Sequence, residues 1–203
     1  TIASLLETKK AYKCFCSHEE IEKLRKTTNS YRYPNIWRER SDSDIKDEEQ
    51  RGTPFSVRLK TPQIGETTFK DHVYGDISVK NSEIDDFILA RSDENQTPVY
   101  NLVVVVDDHS MAITHIIRGE DHISNTIKQI LIYKALNWEI PEFVHLPMIL
   151  GSNKERLSKR HGATGVQEYQ KEGYQQEGLL NYLAFLGWNP GTDEEIMNLD
   201  ALA

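Results

Sequence analysis

Cysteine is nearly absent from this sequence. Its 203 residues contain two, Cys14 and Cys16. With one residue between them they are too close to close a useful disulfide loop, and such usage points to a reducing compartment, the cytoplasm. Long apolar runs are also absent. No stretch approaches the ~20 residues that a membrane span needs, so no membrane partner is expected. The first residues, TIASLLETKKAY, lack the basic start, apolar centre and small-residue cleavage site of a secretory signal. Positive charge is in deficit, with 24 Lys and Arg against 32 Asp and Glu and a formal net charge of −8. That argues against a generally basic nucleic-acid binder but leaves room for a local basic patch. Two nucleotide signatures are missing as well: there is no G-x-x-x-x-G-K-[ST] phosphate loop and no G-x-G-x-x-G after a strand. Internal repeats and low-complexity tracts are not found either.

What is present suits a globular protein. Hydrophobic residues make up 38% and charged residues 28%, and the length allows one large domain or two small ones. Three textures follow one another along the chain. Residues 1–98 are polar and mixed. LLETKKAY reads as a helix end and AYKCFCSH as a short strand. HEEIEKLRKT reads as a helix, with Ser17 as N-cap and Glu20 at capping-box spacing. The charge-dense ERSDSDIKDEEQR reads as an exposed loop or a solvated helix. PFSVRLK and TTFKDHVYGDISVK alternate between apolar and polar, which predicts a small antiparallel sheet.

Residues 99–151 differ. VYNLVVVVDD predicts a strand buried on both faces, of the kind found in parallel sheets. MAITHIIRGED predicts another strand. SNTIKQILIYKALNW predicts a helix capped by Ser124, with Ile127, Ile130, Leu131 and Ala135 on its apolar face. FVHLPMIL predicts the next strand. The fold class is therefore α/β, with strand, helix and strand in alternation. From residue 152 to 203 a basic cluster is followed by YQKEGYQQEGLLNYLAFLGW, which predicts one or two short helices broken at Gly173, Gly178 and Gly187.

In open α/β sheets ligands bind beyond the carboxyl ends of the strands. That rule selects Asp107 and Asp108, then Arg118 to His122, then RLSKRHGA at residues 156–163, as residues whose strand tips crowd one edge. Each also has a plainer reading. The aspartates suit a turn, Arg118 a surface ion pair, His122 a helix entry, and Lys159 and Arg160 solvated cations. Cations beside a triphosphate would stabilise charge on a leaving pyrophosphate. Cys14, Cys16 and His18 could supply part of a zinc site, but a closed site needs four ligands and the next His or Cys is His72.

RLSKRHG resembles the Lys-Met-Ser-Lys-Ser-type loop of class I aminoacyl-tRNA synthetases, in the Ser-Lys-Arg form of the glutamyl-tRNA synthetases. Residues 97–150 are similar to the second half of the Rossmann-like catalytic domain of that bacterial family. AYKCFCSHEEIEKLRK, GTPFSVRLK and NSEIDDFILARSD resemble its α+β connective insertion, which binds the tRNA acceptor stem. LLNYLAFLGWNP resembles the start of its helical stem-contact region.

The resemblance implies a set of roles. Lys159 would stabilise the ATP phosphates, supported by Ser158 and Arg160. Arg118 and Tyr100 would hold the side-chain carboxylate of glutamate. Glu120, Asp121, His122, Met148 and Ile149 would lie at the ATP end of the sheet, the last two on strand backbone against adenine. Magnesium would accompany ATP, the tRNA acceptor end and L-glutamate would be the other partners, and the protein would act as a monomer. The chemistry implied is formation of glutamyl-adenylate and transfer of the acyl group to tRNA.

The sequence also departs from that family. It contains no His-Ile-Gly-His-type motif and no anticodon-binding domain. It therefore reads as an internal piece of a longer synthetase, expected to be inactive alone. In some relatives the Cys-x-Cys stretch is completed into a zinc site by a Cys/His pair near this chain's YPNIWRER. Here that stretch has Trp37 and neither residue type, so zinc is not expected. The readings left open are a glutamyl-transferring tRNA-modifying paralogue, a glutamine-specific synthetase, another nucleotidyltransferase and a non-catalytic RNA-binding module.

Overall fold

Strand β2 (Ser56–Leu59) is buried along its whole length. It lies between β1 (Ala11–Cys14) and β5 (Ile88–Ala90) in an antiparallel three-stranded sheet, Ala11 opposite Leu59 and Cys14 opposite Ser56. The structure is a computed structural model and describes residues 1–28, 33–149 and 165–203. Val57, Leu59, Leu89 and Ala90 from this sheet pack with Leu5 of α1 (Ile2–Glu7), Leu102 and Val105 of α4 (Tyr100–Ser110), and Leu131 and Ile132 of α5 (Ile123–Leu136). All nine are buried. Truncating such a leucine to alanine costs about 2–5 kcal/mol, so this core dominates the stability of the region.

The charged segment forms α3 (Asp42–Gln50), an exposed helix held by a capping box between Ser41 and Asp44. Helix α2 (His18–Thr28) carries the expected box: Glu20 N–H donates to Ser17 Oγ at 3.2 Å, and Ser17 N–H to Glu20 Oε2 at 2.8 Å. The two alternating segments do form strands, but they belong to different sheets. PFSVRLK supplies β2, whereas TTFKDHVYGDISVK forms the hairpin of β3 (Glu66–Asp71) and β4 (Gly75–Lys80). Its turn is closed by Asp71 Oδ1, which accepts from Val73 N–H at 2.9 Å and Tyr74 N–H at 3.0 Å. Gly75 follows at φ +72°, a conformation that favours glycine.

The hairpin continues into a four-stranded sheet of order β4-β3-β7-β6, with β6 (His115–Gly119), β7 (Glu142–Leu146) and a parallel β3–β7 pair. Strand, helix and strand thus alternate through β6, α5 and β7, as the sequence implies.

Two expectations about the segment from Val99 to Leu136 are overturned. VYNLVVVVDD is helix α4, not a strand. A β-branched run of four is compatible with either element, and tertiary burial decides between them. Leu102 and Val105, three apart, face the core while Val103 stays 40% exposed. Asp107 and Asp108 therefore lie inside a helix and mark no strand tip. Nor does Ser124 cap α5. A 3-10 turn, Glu120–His122, runs straight into the helix, so His122 takes the cap position and Ser124 is already helical.

Helix α5 ends at Asn137 in the left-handed conformation. Trp138 just beyond stacks flat on His109 of α4, ring centroids 3.8 Å apart.

The described residues pack into two units. Thr1–Ile116 joins His122–Val144, and Ile117–Asp121 joins His145–Ala203. The second unit carries α6 (Val166–Lys171), α7 (Gln176–Ala184) and α8 (Leu199–Leu202). Gly178 lies within α7 and does not break it. Asn181 of α7 anchors the following loop, donating to Glu195 O and accepting from Met197 N–H, both at 2.8 Å.

Candidate functional site

Strand β6 ends in Arg118-Gly119, and the 3-10 turn places Glu120, Asp121 and His122 immediately after it. In the second unit Arg118 Nε donates to His145 Nε2 at 3.3 Å. His145 is fully buried. An imidazole that accepts at Nε2 carries its proton on Nδ1 and is neutral. The guanidinium is thereby fixed in orientation by a group on the neighbouring strand. Its flat fork is the shape that recognises a carboxylate through two hydrogen bonds.

Glu120 Oε1 accepts from the backbone N–H of Met148 at 2.9 Å, tying the 3-10 turn to the segment after β7. The strand itself stops at Leu146, so Met148 and Ile149 do not lie on strand backbone as expected. Pro147 has no N–H to offer the ladder, which accounts for the stop. Ile149 is 44% exposed.

Gly119 leaves room for a neighbour: a Cβ there would lie 2.6 Å from Asp121 Oδ1, so a side chain at this position would make the Asp121 carboxylate shift. The absence of a side chain lets the Asp121 carboxylate fold back over the strand end.

In the first unit Tyr100 opens α4, half exposed, after Val99 at the cap. Its hydroxyl lies 3.4 Å from His122 Nδ1, and the two rings are 5.9 Å apart at centroids. Asn125 Nδ2 also approaches His122 Nδ1, at 3.2 Å. Thr126 Oγ1 donates to the His122 carbonyl at 3.1 Å. His122 is thus held by the first turn of α5 as well as by Tyr100.

The structure accordingly groups Arg118, Glu120, Asp121, Met148 and Ile149 in one unit and pairs Tyr100 with His122 in the other. Ser158, Lys159 and Arg160, with the whole RLSKRHGA cluster, lie outside the described residues. The sequence reading missed His145. Its one signal was a histidine inside an apolar strand, FVHLP, where a buried polar group must find a partner.

The cysteines sit elsewhere in the first unit. Cys14 is buried at the end of β1 and Cys16 is half-buried. Tyr33 Oη lies 3.0 Å from Cys14 Sγ and 3.8 Å from Cys16 Sγ. A hydrogen bond from Cys16 holds the Cys14 thiol down at about 5 against the upward pull of burial, with help from Tyr33 and from Arg58. Two thiols and a phenol fall short of a four-ligand zinc site. Among the described residues no group of three or more His, Cys, Asp or Glu is arranged to hold a metal ion.

Comparison with known proteins places these features. The family described as the catalytic domain of the class I tRNA synthetases (E and Q) matches residues 1–203. A protein named glutamate–tRNA ligase from Lawsonia intracellularis is 53% identical over 203 residues, 98% of this chain and 41% of its own length. One of the same name from Coprothermobacter proteolyticus is 51% identical over 197 residues, 95% of this chain and 42% of its own. The chain therefore spans about two fifths of the length of these relatives. Among solved structures, a glutamate tRNA ligase from Elizabethkingia meningosepticum in complex with its amino acid superposes with a TM-score of 0.79 at 30% identity, covering 98% of this chain and 45% of that one.

Proposed function

Because this chain belongs to the catalytic-domain family of the class I tRNA synthetases for glutamate and glutamine, we propose that it works as part of a glutamate–tRNA ligase. The observation that carries the reading is 51–53% identity, over nearly the whole chain, to proteins that bear that name. In the reaction a carboxylate oxygen of glutamate attacks the α-phosphorus of ATP and pyrophosphate leaves. A ribose hydroxyl at the 3′ end of tRNA then attacks the acyl carbon and AMP leaves.

Arg118 is assigned to the side-chain carboxylate of glutamate, oriented by His145. Tyr100 is assigned to the same group through its hydroxyl. Glu120, Asp121, His122, Met148 and Ile149 are assigned to ATP. Glu120 serves indirectly, since it fixes the Met148 backbone. Lys159 supplies positive charge to the phosphates, with Ser158 and Arg160 beside it, and magnesium enters with ATP. Residues 1–98 serve as the acceptor-stem-binding insertion, 99–151 as the second catalytic half, and 152–203 as the signature loop and the start of the stem-contact region. The partners are the tRNA acceptor end, glutamate and ATP, and the enzyme acts as a cytoplasmic monomer.

These 203 residues alone are expected to be inactive, since the relatives they match are more than twice as long. The test is attachment of labelled glutamate to tRNA by a full-length ligase containing these residues, with Lys159→Ala alongside. Losing one group that stabilises developing charge costs ~100- to 1,000-fold in rate. Failure of the folded protein to charge tRNA would overturn the ligase reading. Charging that ignores the Lys159 change would overturn the role given to the loop.

A further inference from the structure

The two cysteines take no part in the function proposed above, and they are built together. The Tyr33 hydroxyl reaches both sulfurs, 3.0 Å from Cys14 Sγ and 3.8 Å from Cys16 Sγ. The Arg58 guanidinium lies 3.7 Å from the centre of the Tyr33 ring, so a cation backs the pair. Cys14 is 1% exposed, but Cys16 lines a cleft of about 680 Å³ together with Phe15, Glu20, Lys23, Trp37 and Arg40. One thiol is therefore reachable from solvent and the other is stored behind it, favoured as the thiolate by its partner.

We propose that Cys14 and Cys16 form a chelating dithiol that captures trivalent organoarsenicals of the type R–As(OH)2. Arsenic(III) makes three bonds in a pyramid. One is already used by the organic substituent, so two sulfurs complete the set, whereas a closed zinc site would require four donors. Cys16 attacks first from the cleft. An As–S bond forms, an As–O bond breaks, and the thiol proton leaves with that oxygen as water. Cys14 then closes the ring in the same way and releases a second water. No electrons are transferred, so no oxidant is needed. The second step is intramolecular, and chelation of this kind raises affinity by about 100- to 10,000-fold over a single thiol. Closure takes the Cys14 sulfur away from the Tyr33 hydroxyl.

The test uses this chain and phenylarsine oxide, which is PhAs(OH)2 in water. Intact mass spectrometry is expected to show one arsenical bound with loss of two waters. The adduct should survive excess glutathione, a monothiol, and be removed by dithiothreitol, a dithiol. Cys16→Ala, checked for folding by circular dichroism, should lose that resistance and bind at least ~100-fold more weakly. Because an unfolded chain also carries the Cys-x-Cys pair, the thermal midpoint decides where capture occurs. A rise on binding means that the folded protein holds the arsenical, as binding to the native state requires. Absence of an adduct, an adduct that glutathione strips as readily as from Cys16→Ala, or a fall in the midpoint would each overturn the proposal.

Discussion

Arg118 Nε donates to His145 Nε2 across 3.3 Å, from one strand to its neighbour. Only a neutral imidazole with its proton on Nδ1 can accept there. The buried histidine thus sets the direction in which the guanidinium points. If Arg118 holds the glutamate side chain, removing the acceptor should loosen it. Hydrogen bonds to charged groups contribute about 1.5–3 kcal/mol, or roughly 10- to 150-fold. His145→Ala in a full-length ligase should therefore raise KM for glutamate by at least about tenfold and leave KM for ATP nearly unchanged. His145→Gln, which can keep an acceptor near the Nε2 position, should recover part of the loss. Equal changes in both KM values would indicate general damage to the fold.

A second prediction concerns Asp86, which is fully buried. Its carboxylate accepts from Arg38 Nη1 at 2.6 and 2.7 Å, from Tyr12 Oη at 2.9 Å, and from Thr61 N–H and Oγ1 at 2.8 and 2.6 Å. The same environment pushes the Tyr12 phenol upward, through burial first and then the charge of Asp86. Asp86→Ala leaves the half-buried Arg38 guanidinium and three other donors without that acceptor. Breaking one partner of a buried pair costs about 3–5 kcal/mol. Urea denaturation of this chain should show that loss. A change below about 1 kcal/mol would mean that water replaces the carboxylate.

The capping box of α2 supports a third. Ser17→Ala removes the Oγ that accepts from Glu20 N–H. Loss of such a cap costs about 1 kcal/mol. In a chain of this size the thermal midpoint should fall by about 2–4 °C. Helix α2 contributes Ile21 to the cluster around Tyr12, Cys14 and Tyr33, so fraying there should also speed alkylation of Cys14.

The fourth is a pH dependence. Cys14 is lowered to about 5 in the folded chain, chiefly by the Cys16 hydrogen bond. An unfolded cysteine titrates near ~8.5. A depressed folded value adds stability that is complete above the unfolded value and is lost as pH falls through the folded one. From about pH 5 to ~8.5 the thermal midpoint of the native chain should therefore climb relative to Cys14→Ser. Thiolate absorbance at low pH should disappear in the same variant. Parallel midpoints across that window would show that Cys14 stays a neutral thiol.

These particulars explain what the sequence could and could not disclose. The Ser17–Glu20 box was legible because it is a local rule with a fixed spacing of three. Helix α5 was legible through its apolar positions, and β6 and β7 through the alternation that surrounds it. Helix α4 was not, because Val103 to Val106 fits a buried strand as well as a helix, and the choice is made by a core that Leu102 and Val105 reach only after folding. Ser124 was named as a cap because it is a good one. The 3-10 turn ahead of α5 is invisible to residue preferences and moved the cap to His122. Tyr100 was singled out by family resemblance alone, Arg118 and the residues from Glu120 to His122 by that resemblance and by their place at the end of a strand. The bond between Arg118 and His145 joins positions 27 apart, and no local pattern encodes it.

Thr97 and Pro98, where the texture of the sequence changes, also carry a mechanical meaning. Arg91 N–H donates to Thr97 O at 3.0 Å, Ala90 bridges Pro98, and Val99 N–H donates to Leu89 O at 2.9 Å. The chain leaves the three-stranded sheet at β5, makes a short closed detour and is fastened back onto the same strand one residue before Tyr100. No slack separates the sheet from the start of α4. A displacement of the sheet is therefore handed to the first turn of α4 through these backbone bonds and is not absorbed by a linker. The detour at residues 92–96 can be lengthened without altering that transmission, because the load passes beneath it.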